Sequence, residues 1–251
     1  MDCLRRARLN SENMSDQIAL TREAYARLLS LAVHEFRTPA SVVGGYLRML
    51  QSGVGGALTD GQRRMIGEAE KSCARIVTLI AELSDIGKLD GATAVFSESH
   101  FDLFQLVHDV ASDMPESGDR AVHLQLRGTE AGAPVIGDRT RLASAFSVLL
   151  RAVLREQPAA TTVVADRRLD EERYAKRAVI LITREDAVQQ TYDAAPAPLD
   201  ELRGGLGLGM PLARRVIERY GGRIWTPASG NDRIGELVGI VVSLPLRTDR
   251  I

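Results

Sequence analysis

The sequence is short of the features that mark metal-binding, membrane-spanning and nucleic-acid-binding proteins. Its two cysteines, Cys3 and Cys73, lie too far apart in the chain to have metal-ligand spacing. No apolar run approaches the roughly 20 residues that a membrane-spanning helix needs. The formal net charge is -1, so charge alone predicts neither nucleic acid nor an anionic membrane as a partner. We therefore expect a cytoplasmic protein with no membrane span and no nucleic-acid partner.

The first part of the chain has the periodicity of two amphipathic helices. In the first helix, expected from Ser11 to about Gln51, one face recurs at steps of three and four: Leu28, Leu31, Glu35, Thr38, Val42, Tyr46 and Met49. A glycine-rich stretch at residues 53–58 interrupts the pattern, and Thr59 or Asp60 can cap a second helix. The matching face of the second helix is Met65, Ala69, Ser72, Ile76, Leu79, Leu83 and Ile86.

Two such helices joined by a short loop predict an antiparallel helical hairpin over residues 11–90. A single hairpin has too little core to be stable alone, because one chain cannot cover both apolar seams. We therefore expect a homodimer in which two hairpins close a dimeric four-helix bundle.

A polar linker is predicted at residues 91–100, followed by a second domain at residues 101–246 in which helical and strand-like segments are mixed. Such mixing favours an α/β sandwich with helices on one face of a sheet. Residues 189–202 are rich in Ala, Pro and Asp, which predicts a flexible loop. Residues 223–225 and 239–245 are expected to form a closing pair of strands.

The segment AVHEFRTP at residues 32–39 is the strongest chemical signal in the chain. His34 and Thr38 are four residues apart, so they lie on one face of a helix, and Glu35 adjoins the histidine. The segment combines a nucleophile, a candidate proton acceptor and a hydroxyl that can position water. Pro39 cannot donate a hydrogen bond to the carbonyl of Glu35, so the backbone is expected to be loosened or bent there.

This segment resembles the phosphoacceptor box of sensor histidine kinases, the His-Glu-x-x-Thr-Pro pattern. The resemblance implies that His34 is phosphorylated, that Glu35 assists as a base and that Thr38 helps to hydrolyse the phosphate of a partner. The expected phosphorylated residue is His34 rather than the other histidines, because these fall in the predicted linker, in an amphipathic helix and on a strand: His100, His108 and His123.

The chain from Phe101 to Leu246 resembles the ATP-binding domain of the same family. The resemblance rests on the glycine segment GGLGLG at residues 204–209, on the helix predicted after it and on YGGRIW at residues 220–225. In the family, these glycines let the backbone approach a triphosphate. The resemblance therefore assigns Gly205, Gly207 and Gly209 to a vestigial nucleotide loop.

Two other motifs of that domain are absent. Where the family has Asn-Leu-Leu-x-Asn-Ala, the chain reads VLLRAV at residues 148–153, so Ala152 replaces the asparagine whose oxygen binds Mg²⁺. Where the family has Asp-x-Gly-x-Gly, it reads REDAV at residues 184–188, and Arg184 cannot accept the hydrogen bond that the aspartate accepts from adenine. We therefore expect a site that keeps its shape without binding ATP or Mg²⁺.

The preferred hypothesis is histidine phosphotransfer, in which His34 carries phosphate and exchanges it with aspartates of response-regulator receiver domains. An upstream sensor kinase is a candidate source of the phosphate, and dephosphorylation of a partner through Thr38 is compatible with this role. One alternative is an active ATP-dependent sensor histidine kinase with a divergent nucleotide site, which would need ATP and Mg²⁺. Another is a non-enzymatic dimeric adaptor that regulates a kinase or a response regulator.

Overall fold

The computed structural model describes residues 2–114, 120–172, 175–201, 207–228 and 239–247, with side chains described from residue 24 onward except at 171, 172 and 175. The chain divides into two units, Met1–Ala94 and Val95–Ile251. The linker expected at residues 91–100 is too long, because residues 98–100 are already paired in the first strand, β1 (Glu98–Asp102). His100 therefore lies in a strand and not in a linker.

The first unit is the predicted hairpin of two helices, α1 (Asp2–Gln51) and α2 (Asp60–Asp90), although α1 begins before the expected Ser11. α2 begins with a capping box: the Thr59 hydroxyl accepts a hydrogen bond from the Gln62 N–H, and the Thr59 N–H donates to Gln62 Oε1 at 2.9 Å. α1 continues through Pro39, so the proline does not end the helix.

Each helix of the hairpin uses one stripe to pack against the other. The inner cluster contains Val33, Ala40, Ile80 and Leu83. Beside this cluster the thiol of Cys73 is buried and donates a hydrogen bond to the carbonyl of Ala40 at 3.3 Å. Cys73 therefore packs as a small apolar side chain within the hairpin.

The residues predicted to form the seam on α1 lie on a different stripe from the one that packs against α2. They remain exposed in a single chain. The apolar members of this seam are between 49% and 64% exposed: Leu28, Leu31, Val42, Tyr46 and Met49. The seam predicted on α2 divides along its length. Met65 and Ile76 are exposed, whereas Leu83 packs against the inner cluster of the hairpin and Ile86 is buried.

The second unit has eight described strands and four described helices. The helices are α3 (Leu103–Ser112), α4 (Arg139–Glu156), α5 (Val188–Asp193) and α6 (Gly209–Arg219). After β1, the strands are β2 (His123–Gly128), β3 (Pro134–Asp138), β4 (Thr162–Glu172), β5 (Ala175–Arg184), β6 (Pro196–Ala197), β7 (Arg223–Pro227) and β8 (Gly239–Pro245). The main sheet has the order β2-β4-β5-β8-β7-β6, and β1 pairs separately with β3.

The main core lies on one face of this sheet. Alternate side chains of the central strand β5 are completely buried there: Ala178, Ile180 and Ile182. α4 contacts β5 and β8, α3 contacts β2, and α6 contacts α4 and β7. The predicted α/β sandwich is confirmed, and so is the closing pair of strands, in which Trp225 lies opposite Val241.

The prediction of a flexible loop at residues 189–202 was wrong. Most of α5 and all of β6 fall inside that range. Tyr192 packs against an apolar cluster on the other face of the sheet, and its hydroxyl donates a hydrogen bond to Asp166 Oδ2 at 3.3 Å. The guanidinium carbon of Arg168 lies 3.8 Å from the centre of the tyrosine ring. The composition of the segment does not reveal this order, because one half-buried aromatic ring anchors residues that are otherwise typical of loops.

Candidate functional site

The candidate phosphoacceptor residues lie together on the surface of α1. The side chains of His34 and Glu35 are 76% and 71% exposed, and His34 Nδ1 lies 3.7 Å from Glu35 Oε1. This distance is too long for a direct hydrogen bond, but it places the carboxylate beside one specific ring nitrogen. Nε2 is then the ring nitrogen on the side away from the acid. Thr38, one turn further along the helix, is also exposed.

The packing of the hairpin explains why these three side chains face outward. Val33 is 3% exposed and Ala40 is 9% exposed, and both belong to the stripe that packs against α2. Because successive residues of a helix are about 100° apart, fixing Val33 inside turns the next two residues toward solvent. The local fold thus presents the histidine and the acid without a side chain of the hairpin covering them.

His108 has neighbours like those of His34, which the sequence analysis did not take into account. It has an acid next to it, Asp109, and a hydroxyl four residues on, Ser112, both on α3. In the structure the Asp109 carboxylate pairs with Arg139 Nη2 at 2.7 Å. Of the four histidines, only His34 pairs with a carboxylate among the residues described. His34 therefore remains the candidate, and His108 is the natural control for it.

The glycine segment is described only in part. Gly205 lies outside the described residues. Gly207 has φ of 66°, a backbone conformation that glycine adopts without cost, so its identity has a conformational reason that requires no nucleotide. Gly209 is buried at the first position of α6, and the residue before it, Leu208, makes no side-chain cap to the helix.

The two positions where the chain lacks the family's nucleotide ligands are both described. Ala152 lies on α4 with 0% of its surface exposed, and its methyl group offers no oxygen to a metal. Arg184 ends β5, and its Nε donates a hydrogen bond to Asp186 Oδ1 at 3.1 Å. It is a cation that cannot accept a hydrogen bond from adenine. These two side chains cannot supply the metal oxygen and the adenine acceptor that the resemblance assigns to their positions.

Residues 24–92 match the family of the His Kinase A (phospho-acceptor) domain. The sensor histidine kinase GacS of Pseudomonas protegens is 27% identical over 217 residues, which are 79% of this chain and 23% of the relative. The histidine-protein kinase BaeS of Escherichia coli is 24% identical over 225 residues, 86% of this chain and 46% of the relative. These similarities support a two-component histidine-kinase core.

A solved structure supports the fold of this histidine-kinase core. Full-length ShkA in complex with AMPPNP superposes with a TM-score of 0.65 at 20% identity, over 88% of this chain and 46% of that one. The chain thus spans less than half the length of these three proteins. Across the ranges that the structure describes, no helix is long and apolar enough to cross a membrane. No group of three or more His, Cys, Asp or Glu side chains within those same ranges could hold a metal.

Proposed function

We propose that this histidine-kinase core carries a phosphoryl group on His34 and exchanges it with aspartates of response-regulator receiver domains. The observation that carries the proposal is the exposed pair of His34 and Glu35, with Nδ1 and Oε1 3.7 Å apart. The second domain supports transfer from a partner rather than from ATP. Ala152 gives no metal oxygen, and Arg184 gives no adenine acceptor. Losing both ligands costs about two or more decades of nucleotide affinity.

The geometry gives each of the two residues a role in the transfer. Glu35 lies beside Nδ1, and in the proposed transfer its carboxylate closes the remaining distance and accepts a hydrogen bond from the Nδ1 proton, which leaves the lone pair on Nε2. Nε2 attacks the phosphorus of an aspartyl phosphate, so a P–N bond forms, the P–O bond breaks and the aspartate leaves as a carboxylate. The reverse step returns the phosphoryl group to another aspartate. A metal ion that neutralises phosphate charge would be bound by the receiver domain.

Thr38 has a separate role in the proposal. Its hydroxyl is exposed on the face of His34, one turn along the helix, and can orient a water molecule toward the phosphate of a partner. Thr38→Ala should therefore leave transfer to His34 intact and slow hydrolysis of a phosphorylated receiver domain. Following release of inorganic phosphate and phosphorylation of His34 in the same reaction separates the two roles.

We also propose that the protein acts as a homodimer through its hairpin. The seam on α1 remains exposed in a single chain, and apolar side chains repeat along it from Leu28 to Met49. A second copy presents the same seam, so the two can cover each other in a four-helix bundle. The alternative in which this dimer is a non-enzymatic adaptor predicts that its regulatory effect survives loss of His34.

The test is transfer of label from a phosphorylated receiver domain to the protein. Wild type should become labelled, His34→Ala should not, and His108→Ala should behave as wild type because Asp109 is engaged by Arg139. Labelling that persists in His34→Ala contradicts the proposal. A parallel isothermal titration with Mg·ATP, followed by incubation with labelled ATP, tests the kinase alternative. ATP binding with self-labelling on His34 would establish a working kinase instead.

A further inference from the structure

Three consecutive residues at the start of the second unit are each held in place. The Val95 carbonyl accepts a hydrogen bond from Arg141 Nη2 at 3.5 Å, and the Ser97 N–H donates to Asp138 Oδ2 at 3.1 Å. Phe96 lies between them in sequence and is half-buried, although Val95 beside it is 85% exposed. An aromatic side chain thus turns into the second unit where its neighbours face solvent.

The ring of Phe96 meets two cations and another aromatic ring. The guanidinium carbons of Arg141 and Arg219 each lie 5.2 Å from its centroid. The Tyr220 ring approaches it edge-on, with centroids 6.0 Å apart and planes at 80°. Guanidinium groups at this distance from an aromatic face are attracted to it, and edge-to-face pairs add to that attraction.

The groups that hold these residues are themselves fixed. Asp138 is 7% exposed and caps α4 by accepting a hydrogen bond from the Arg141 N–H at 3.0 Å. The Asp138 N–H donates to the Tyr220 hydroxyl at 2.8 Å. The start of α4 and the end of α6 are thus joined to each other at the point where Phe96 contacts both. Phe96 therefore meets a preorganised site and not a set of mobile surface side chains.

The residues just before Val95 are held by the other unit. The Gly91 N–H donates to the Gly87 carbonyl at 3.0 Å, and the Thr93 and Ala94 N–H groups donate to the Lys88 carbonyl at 2.9 and 3.1 Å. The chain therefore passes from residues held by the end of α2 to residues held by α4 and α6 between Ala94 and Val95. The described contacts leave almost no free length of chain there.

We propose that Phe96, Arg141, Arg219 and Tyr220 form a latch that sets the length of the tether between the hairpin and the second domain. With the latch closed, the flexible joint is the bond between Ala94 and Val95. With the latch open, residues 95–97 join the tether as far as β1, which adds about 10 Å of reach. The latch limits how far the second domain can travel from His34, whether or not His34 carries phosphate.

Amide hydrogen exchange of the full-length protein tests the latch directly. Phe96→Ala should speed exchange at the Ser97 N–H by about tenfold, because the ring contacts that keep this segment closed are lost. Val95→Ala is the matched control and should leave the rate unchanged. Arg219→Gln keeps the ring and removes one cation, so it should give a smaller acceleration. Unchanged exchange in α4 and β5 shows that the domain itself is intact.

Small-angle scattering supplies the second measurement, since it reports the reach of the tether. Phe96→Ala should broaden the distribution of interatomic distances, and Val95→Ala should not. If Phe96→Ala exchanges and scatters as wild type does, the latch does not exist. If Val95→Ala changes both measurements as much as Phe96→Ala, the segment is sensitive to any substitution and the specific role of the ring is refuted.

Discussion

Leu28→Ala offers a direct measure of whether two hairpins cover each other. Leu28 is 64% exposed in the single chain, so nearly two thirds of its surface is available to a second copy. Alanine is the strongest helix former, and Leu28 contributes little to packing within its own hairpin. The substitution should therefore change little within a single hairpin, and any loss of thermal stability should follow from weaker association of the two hairpins and depend on protein concentration.

Leu28→Ala should weaken the association of two hairpins much more than it weakens packing within one hairpin. Burying a whole leucine side chain contributes about 1.5–3 kcal/mol, so the exposed fraction of Leu28 accounts for about 1–2 kcal/mol per copy. A twofold dimer contains the residue twice, which gives about 2–4 kcal/mol. The dissociation constant of the dimer should rise by about 30- to 1,000-fold.

Sedimentation equilibrium over a wide range of concentrations measures this constant against the 27.3 kDa monomer. Val95→Ala is the control, because its side chain is 85% exposed and lies outside the hairpin. If wild type stays monomeric at every concentration with full helicity, two hairpins do not cover each other. If Leu28→Ala dimerises as tightly as wild type, the exposed seam is not the interface.

Two further predictions concern the second domain. Gly222→Ala should lower the free energy of unfolding by about 1–3 kcal/mol in a urea titration, because its methyl group would lie 2.6 Å from Ile217 Cγ2 and 2.9 Å from Leu244 Cδ2; no loss would mean that the backbone yields there. Burial raises the pKa of the Tyr192 hydroxyl above the ordinary 10.0, and the negative charge of the adjacent Asp166 raises it further. The contribution of Tyr192 to stability should thus be fully present below pH 10 and be lost as the pH rises further, because the unfolded chain then loses a proton that the folded chain keeps. Tyr192→Phe should reduce the loss of stability above pH 10.

The parts of the fold that the sequence predicts are those where one local pattern decides the outcome. Thr59 caps α2 because a hydroxyl three residues before Gln62 is a complete local signal. Tyr192 and Phe96 carry no such signal, since each is a single aromatic residue in a stretch that the sequence predicts to be a loop or a linker. What anchors them comes from distant strands and helices: Asp166 and Arg168 for one, Arg141 and Arg219 for the other. Sequence order alone does not bring these groups together.

The candidate site likewise has one part that the sequence predicts and one part that it does not. His34, Glu35 and Thr38 lie within one helical turn, so helix geometry alone brings them to one surface. A nucleotide site depends on groups far apart in the chain. For these groups the structure shows how tightly each side chain is packed, which a comparison of motifs does not. Ala152 is completely buried, so returning asparagine to this position would force three further heavy atoms into closed packing, at a cost of about 1–3 kcal/mol. We therefore expect Ala152→Asn to destabilise α4 and not, by itself, to give Mg·ATP binding; tight binding of Mg·ATP by this variant in an isothermal titration would contradict that expectation.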